Sequence, residues 1–138
     1  MSSYLNIYLV PKRESKKEKK QYLSLLSYSR SSDIYEAFYE NMPIAFIGSE
    51  VKYTTLTKVN MQEILEDLSR NIKSTKERLE LYEKYASDNP DYIQSILDER
   101  DVLKDYEATY GDVSCIKSIV DDTIDGHNSF EEVCCNID

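Results

Sequence analysis

The sequence predicts an α+β domain, a small antiparallel sheet of about three strands packed with a long antiparallel helical hairpin and a further short C-terminal helix. Three observations carry this. Short β-branched and aromatic runs fill the first 57 residues, a sustained heptad pattern starts near residue 60, and Ser87-Asp88-Asn89-Pro90 breaks that pattern with a stop and restart signal. At 138 residues the chain fits one domain around one core. Its expected parts are a strand-rich segment 1–57 with one short helix, a helical segment 58–126, and a tail or edge strand 127–138.

YLNIYLV (4–10) alternates Leu5, Ile7 and Leu9 with Tyr4, Asn6 and Tyr8, the period of a strand, and Pro11 should end it. KRESKKEKK (12–20) has no apolar member and reads as a solvated hairpin loop; YLSLLSYS (22–29) is the returning strand. Ser31 or Ser32 can cap a short helix through Asn41, closed at Met42-Pro43 because a residue before proline avoids the helical region. EVKYTTLT (50–57) has the composition of a third strand.

Asn60 and Glu63 suggest a capping box, and Val59 with Ile64 a hydrophobic staple, so a helix should start near residue 60. Met61, Leu65, Leu68, Ile72, Thr75, Leu79, Tyr82 and Ala86 then recur at alternating steps of four and three. Asn89 and Pro90 restart the chain as a second helix through Tyr110, which Gly111 should end. Asp112 would cap a third helix, carrying Val113, Ile116, Val120 and Ile124, that stops at Gly126.

Hydrophobic residues make up 41% and charged residues 31% of the chain, a folded composition. No apolar run is long enough to span a membrane and no secretory leader is visible, so the expected location is cytoplasmic. Three cysteines, two of them adjacent, make no disulfide framework. The net charge of −9 is unevenly placed: +5 over residues 1–30, −3 over 31–86 and −11 over 87–138. Such a surface repels phosphates, which argues against direct nucleic-acid binding.

Little else resembles chemistry. DDTIDGHNSFEE (121–132) places Asp121, Thr123, Asp125, Gly126, Ser129 and Glu132 at EF-hand spacing, but Thr123 replaces the usual acid or amide and no second loop exists. The expected role is a helix end followed by a tail. Asp121, Asp122 and Asp125 form a D-D-x-x-D run like that of terpene synthases, over five residues only. His127, Cys134 and Cys135 lack a fourth zinc ligand. No phosphate-binding glycine loop or nucleophile motif appears, so the chain reads as a non-enzyme, with no catalytic residue, metal or cofactor expected. The remaining candidate is a set of carboxylates on the second helix: Asp91, Asp98, Glu99, Asp101, Asp105 and Glu107. Held on a rigid rod, they suit a basic partner surface.

YLNIYLVPK, LLSYSRSS, the FIGSE turn, KYTTLT and the helical hairpin, in that order, resemble small accessory proteins of bacteriophages and of mobile elements in gut bacteria. The resemblance implies a short sheet beside a helical hairpin and a role in binding a bacterial host protein, including inhibition of defence systems; it carries no site residue across. The leading expectation is therefore a protein-binding inhibitor acting through its acidic helix, with a nucleic-acid-binding host protein as one partner class. A homo-oligomeric virion or scaffold component, joined through the heptad seam, is the alternative. A binder of a small anionic, nucleotide-like ligand at Lys12 to Lys20 is the third.

Overall fold

The computed structural model describes residues 3–42 and 53–137. β1 (Tyr4–Pro11), β2 (Leu23–Ser29), α1 (Asp33–Asn41), β3 (Thr54–Thr55), α2 (Lys58–Ala86), α3 (Tyr92–Ile124) and β4 (Phe130–Ile137) follow in chain order. The strands form one antiparallel sheet in the order β2-β1-β4-β3. The fold is α+β as the sequence implies, with four strands rather than about three.

Strand alternation sets which face is buried. Leu5 and Ile7 of β1 and Val133 and Cys135 of β4 point into the core. A register shift opposite Ile7 and Tyr8 lets the consecutive Leu25 and Leu26 of β2 both pack against it, the usual effect of a bulge. A second shift falls at Val10 and Pro11, where proline has no N–H to offer the ladder. Of the expected third strand at 50–57, Thr54 and Thr55 pair with Cys135 and Cys134, while 50–52 and the FIGSE turn lie outside the described residues.

α1 starts at Ser32, whose hydroxyl accepts from the Tyr35 N–H, and ends at Met42 in extended backbone, as a residue before proline requires. It buries Ile34, Tyr35 and Phe38. α2 begins earlier than the expected Asn60 cap. Thr57 is the N-cap, and Asn60 serves as the third helical residue of a reciprocal capping box, its carboxamide oxygen accepting from the Thr57 N–H at 3.3 Å. Val59 is 64% exposed, so the expected staple with the buried Ile64 is not made.

The hairpin forms, with its bend at Ser87 to Asp91, but the expected break at Gly111 does not occur. α3 runs unbroken for 33 residues, so the separate C-terminal helix is a continuation of the second. Glycine in a helix interior costs about 1 kcal/mol against alanine. That is less than what burial of Val113, Ile116 and Val120 against α2 and the sheet returns, at about 1.5–3 kcal/mol each. The helix ends at Gly126, whose φ of +76° suits a residue without Cβ. There His127 N–H donates to the Asp122 carbonyl at 2.8 Å and Gly126 N–H to Thr123 at 3.3 Å, a Schellman closure. The segment 127–138, expected as a tail or edge, supplies β4 between β1 and β3.

At about 1.5 Å per residue α2 and α3 are roughly 43 and 50 Å long. Only their near halves touch the body, where Met61, Ile64, Leu65 and Leu68 meet α1 and the sheet. Farther out, between residues 79 and 104, Ile96 is the one buried side chain. This distal arm is held by the seam, by Arg78 to Glu99 and Arg100 to Glu83 at 3.2 Å each, and by Tyr82 stacked on Tyr92. Thr75, Thr109 and Thr123 lie buried because each hydroxyl donates to the carbonyl four residues earlier.

Gly111 and Gly126 should respond oppositely to alanine. No heavy atom lies within 4 Å of a Cβ built at Gly111, so Gly111→Ala is expected to raise unfolding stability by about 1 kcal/mol. Gly126→Ala is expected to lower it by about 1–2 kcal/mol through the left-handed backbone. Urea denaturation of both variants checks the sign at each position.

Candidate functional site

The six expected carboxylates do not form one surface. At about 100° per residue, Asp91, Asp98, Asp101 and Asp105, spaced by seven, three and four, share a stripe on the side of α3 that faces α1. All four are exposed. Asp98 accepts from the Gln94 amide at 2.9 Å. Glu99 turns into the seam, bonded to Arg78, and Glu107 lies on the opposite side of the helix. These two are corrections to the set: a helix shows one stripe to any flat partner, and the seam takes the position that Glu99 holds.

Tertiary folding adds carboxylates to that stripe. Asp33, Glu36 and Glu40 of α1 and Asp67 of α2 line a small recess of about 40 Å³, together with Asn71 and Tyr106. Burial pushes the Asp33 carboxyl above its ordinary pKa, and Asp105 and Glu36 push it further. Burial likewise raises Glu40, reinforced by Glu36 and Asp67. Asp67 is partly compensated, since Asn41 donates to it at 3.0 Å and Arg70 approaches to 3.5 Å. Three helices thus hold like charges together, where burial first and repulsion second disfavour the ionised form of Asp33 and Glu40.

The sequence held a signal for this. Asp33, Glu36 and Glu40 fall at i, i+3 and i+7, one face of the expected short helix. Their meeting with Asp105, 72 positions beyond Asp33, depends on how α1 packs against α3 and is not written in any local pattern.

The basic loop, considered for an anionic ligand, spends two of its cations within the fold. Arg13 pairs with Glu131 at 2.8 Å and Lys20 with Glu132 at 2.7 Å, tying the loop to β4; Thr55 also donates to Glu132. The face of the sheet away from the core carries Tyr8, Tyr22 and Tyr53, with Tyr22 and Tyr53 stacked at 3.7 Å between ring centres. Asn6 and Asn136 bond across the strands on the same face.

The residues at EF-hand spacing go to separate duties. Asp121 bonds Lys117 and Asp125 bonds Lys58, Gly126 caps the helix, and Glu132 lies in β4. Asp121 and Thr123 are helical, so the stretch does not coil into a twelve-residue loop. Cys134 and Cys135 are buried on opposite faces of β4, whereas Cys115 is exposed on α3. Burial, with Glu132 adding, pushes the Cys134 thiol up to about 12, and burial raises Cys135 as well. Among the described residues no helix is long and apolar enough to cross a membrane.

Comparison with protein-family models, with curated proteins and with solved structures finds no match to this chain.

Two outcomes follow from these environments. A carboxyl whose pKa is raised by folding favours the folded state below its unfolded pKa, and this contribution is lost as pH rises through the folded value. Glu40 also sits in the last turn of α1, where the dipole disfavours an anion. Glu40→Gln should therefore raise the melting temperature by about 1–2 °C at pH 7.5, with the gain gone near pH 4, as thermal melts across that range would register. At pH 8 a thiol-reactive chromogenic disulfide should label one cysteine, Cys115, in the native protein, on the order of 100-fold faster than Cys134 or Cys135, and all three in denaturant.

Proposed function

We propose that the protein is a non-enzymatic binding module that meets a basic surface of a bacterial host protein through the acidic side of α1 and α3. The observation that supports this most directly is the convergence of Asp33 and Glu36 with Asp105, and of Glu40 with Asp67, at a place where burial first and these like charges second raise the pKa of Asp33 and Glu40. Folding alone gains nothing from such a meeting, whereas a cationic partner would relieve the repulsion on contact and be steered to it by the field. The stripe of Asp98 and Asp101 extends the same charge along the distal arm, beyond the body and accessible to a partner.

Arg-rich and Lys-rich surfaces that grip nucleic acid are the natural complement of such a patch, which makes a nucleic-acid-binding host or defence protein the favoured target and competitive inhibition the favoured effect. This agrees with what the resemblance to phage accessory proteins implies. The heptad seam proposed for scaffold assembly is filled within the chain by α3, which weighs for the binding module over that alternative.

The test compares the native chain with a variant carrying Asp98→Asn, Asp101→Asn and Asp105→Asn as baits in bacterial lysate. A protein retained by the native bait near 0.1 M salt, released by about 0.5 M and absent from the variant would agree with the proposal. Retention indifferent to both salt and the three substitutions, or no retention, would sink it.

A further inference from the structure

The sheet carries a second, smaller buried layer on the face away from the helices. Val10 and Cys134 are both wholly buried, yet neither belongs to the main core. Val10 pairs with Glu132 and Tyr8 with Cys134, which sets all four on the outer face, opposite Ile7, Val133 and Cys135. The rings over this layer come from the two edges of the sheet. Tyr22 stands just before β2 and Tyr53 just before β3, edge strands three spacings or about 14 Å apart. Their rings nevertheless stack at 3.7 Å, and each stands edge-on to Tyr8, at 6.3 and 5.2 Å. Side chains that start from opposite edges and meet must lie across the inner strands, over Tyr8 and Cys134.

The same two segments are joined at a second point. The Glu132 carboxylate accepts from Lys20 at 2.7 Å and from the Thr55 hydroxyl at 2.6 Å, so it bridges the β1–β2 loop and β3. Lys20 to Tyr22 belong to no helix or strand, and β3 has two residues. An ion pair whose lysine side chain is 37% exposed, a hydroxyl and a pair of rings thus close the layer, and contacts of these kinds are individually weak. Arg13 holds the root of the loop separately, bonded to Glu131 and to the carbonyls of Lys16 and Glu18. The stretch from Lys20 to Tyr22 can therefore lift without releasing the rest.

We propose that residues 20–22 are a strap that opens on its own, while the body stays folded, and bares Tyr8, Val10 and Cys134. In the closed state Tyr22 fills the stacking place on Tyr53 and Tyr8, so the chain itself governs access to this face. The proposal does not rest on the acidic side of α1 and α3, and its test reads a different surface.

Labelling by a chromogenic disulfide at pH 8 follows the opening in two single-thiol chains. Cys115→Ser with Cys135→Ala leaves Cys134 to report on the strap, and Cys115→Ser with Cys134→Ala leaves Cys135 to report on the body. Cys134 should react at on the order of 1% of its rate in denaturant, almost independent of urea below the unfolding transition. Cys135 should be at least about tenfold slower and steeply urea-dependent. Ile116→Val, in the main core, should speed Cys135 by about fivefold and leave Cys134 within about twofold. Tyr22→Ala should speed Cys134 by about tenfold, and Lys20→Gln by about two- to fivefold, in chains that circular dichroism shows to be folded. A Cys134 rate that follows urea and Ile116→Val as Cys135 does would overturn the proposal. So would a rate that neither Tyr22→Ala nor Lys20→Gln changes, or a native Cys134 as reactive as in denaturant.

Discussion

The antiparallel seam between α2 and α3 is the constraint from which the rest of the structure follows. Two helices of about 43 and 50 Å cannot both be covered by a four-stranded sheet whose longest strands have eight residues, roughly 27 Å. Near the body their apolar stripes widen to include Ile64 and Ile116 and face the sheet. Beyond it each can cover only the other, and the stripe narrows to the seam with tyrosines at the tip. Core burial, the projecting arm and the placing of charge on its two free sides are consequences of this single difference in length.

How far the sequence was legible follows from the range over which each signal acts. The heptads and the Ser87 to Pro90 bend are local and repeated, and the hairpin they imply is present. Thr57 and Asn60 have the same capping chemistry three residues apart, so only the reciprocal hydrogen bonds distinguish their roles. Gly111 reads as a terminator when its intrinsic cost is counted alone, yet packing on both sides of it outweighs that cost. The composition of SFEEVCCNID (129–138) fits an edge strand, a helical turn or a tail, and its insertion beside β1 depends on a partner about 120 or more positions away.

The acidic surface illustrates the same limit at the level of function. The numbering of Asp98, Asp101 and Asp105 places them on one helical stripe, and the phase of the seam separates Glu99 and Glu107 from it. Asp33 and Glu40 enter only through the docking of α1, which brings remote carboxylates to the point where burial and repulsion act together. Charge density in a segment is a weak indicator; charge concentrated by folding against its own repulsion is a stronger one.

β4 has a consequence for how the molecule comes into being. Lying between β1 and β3, it ties Leu5 to Ile137 and follows both long helices along the chain. A ribosome would release the helical arm, able to zip locally, well before the sheet has its middle member. Until then the core lacks Val133 and Cys135, and the inner face of β1 and the undersides of the helices keep apolar surface open.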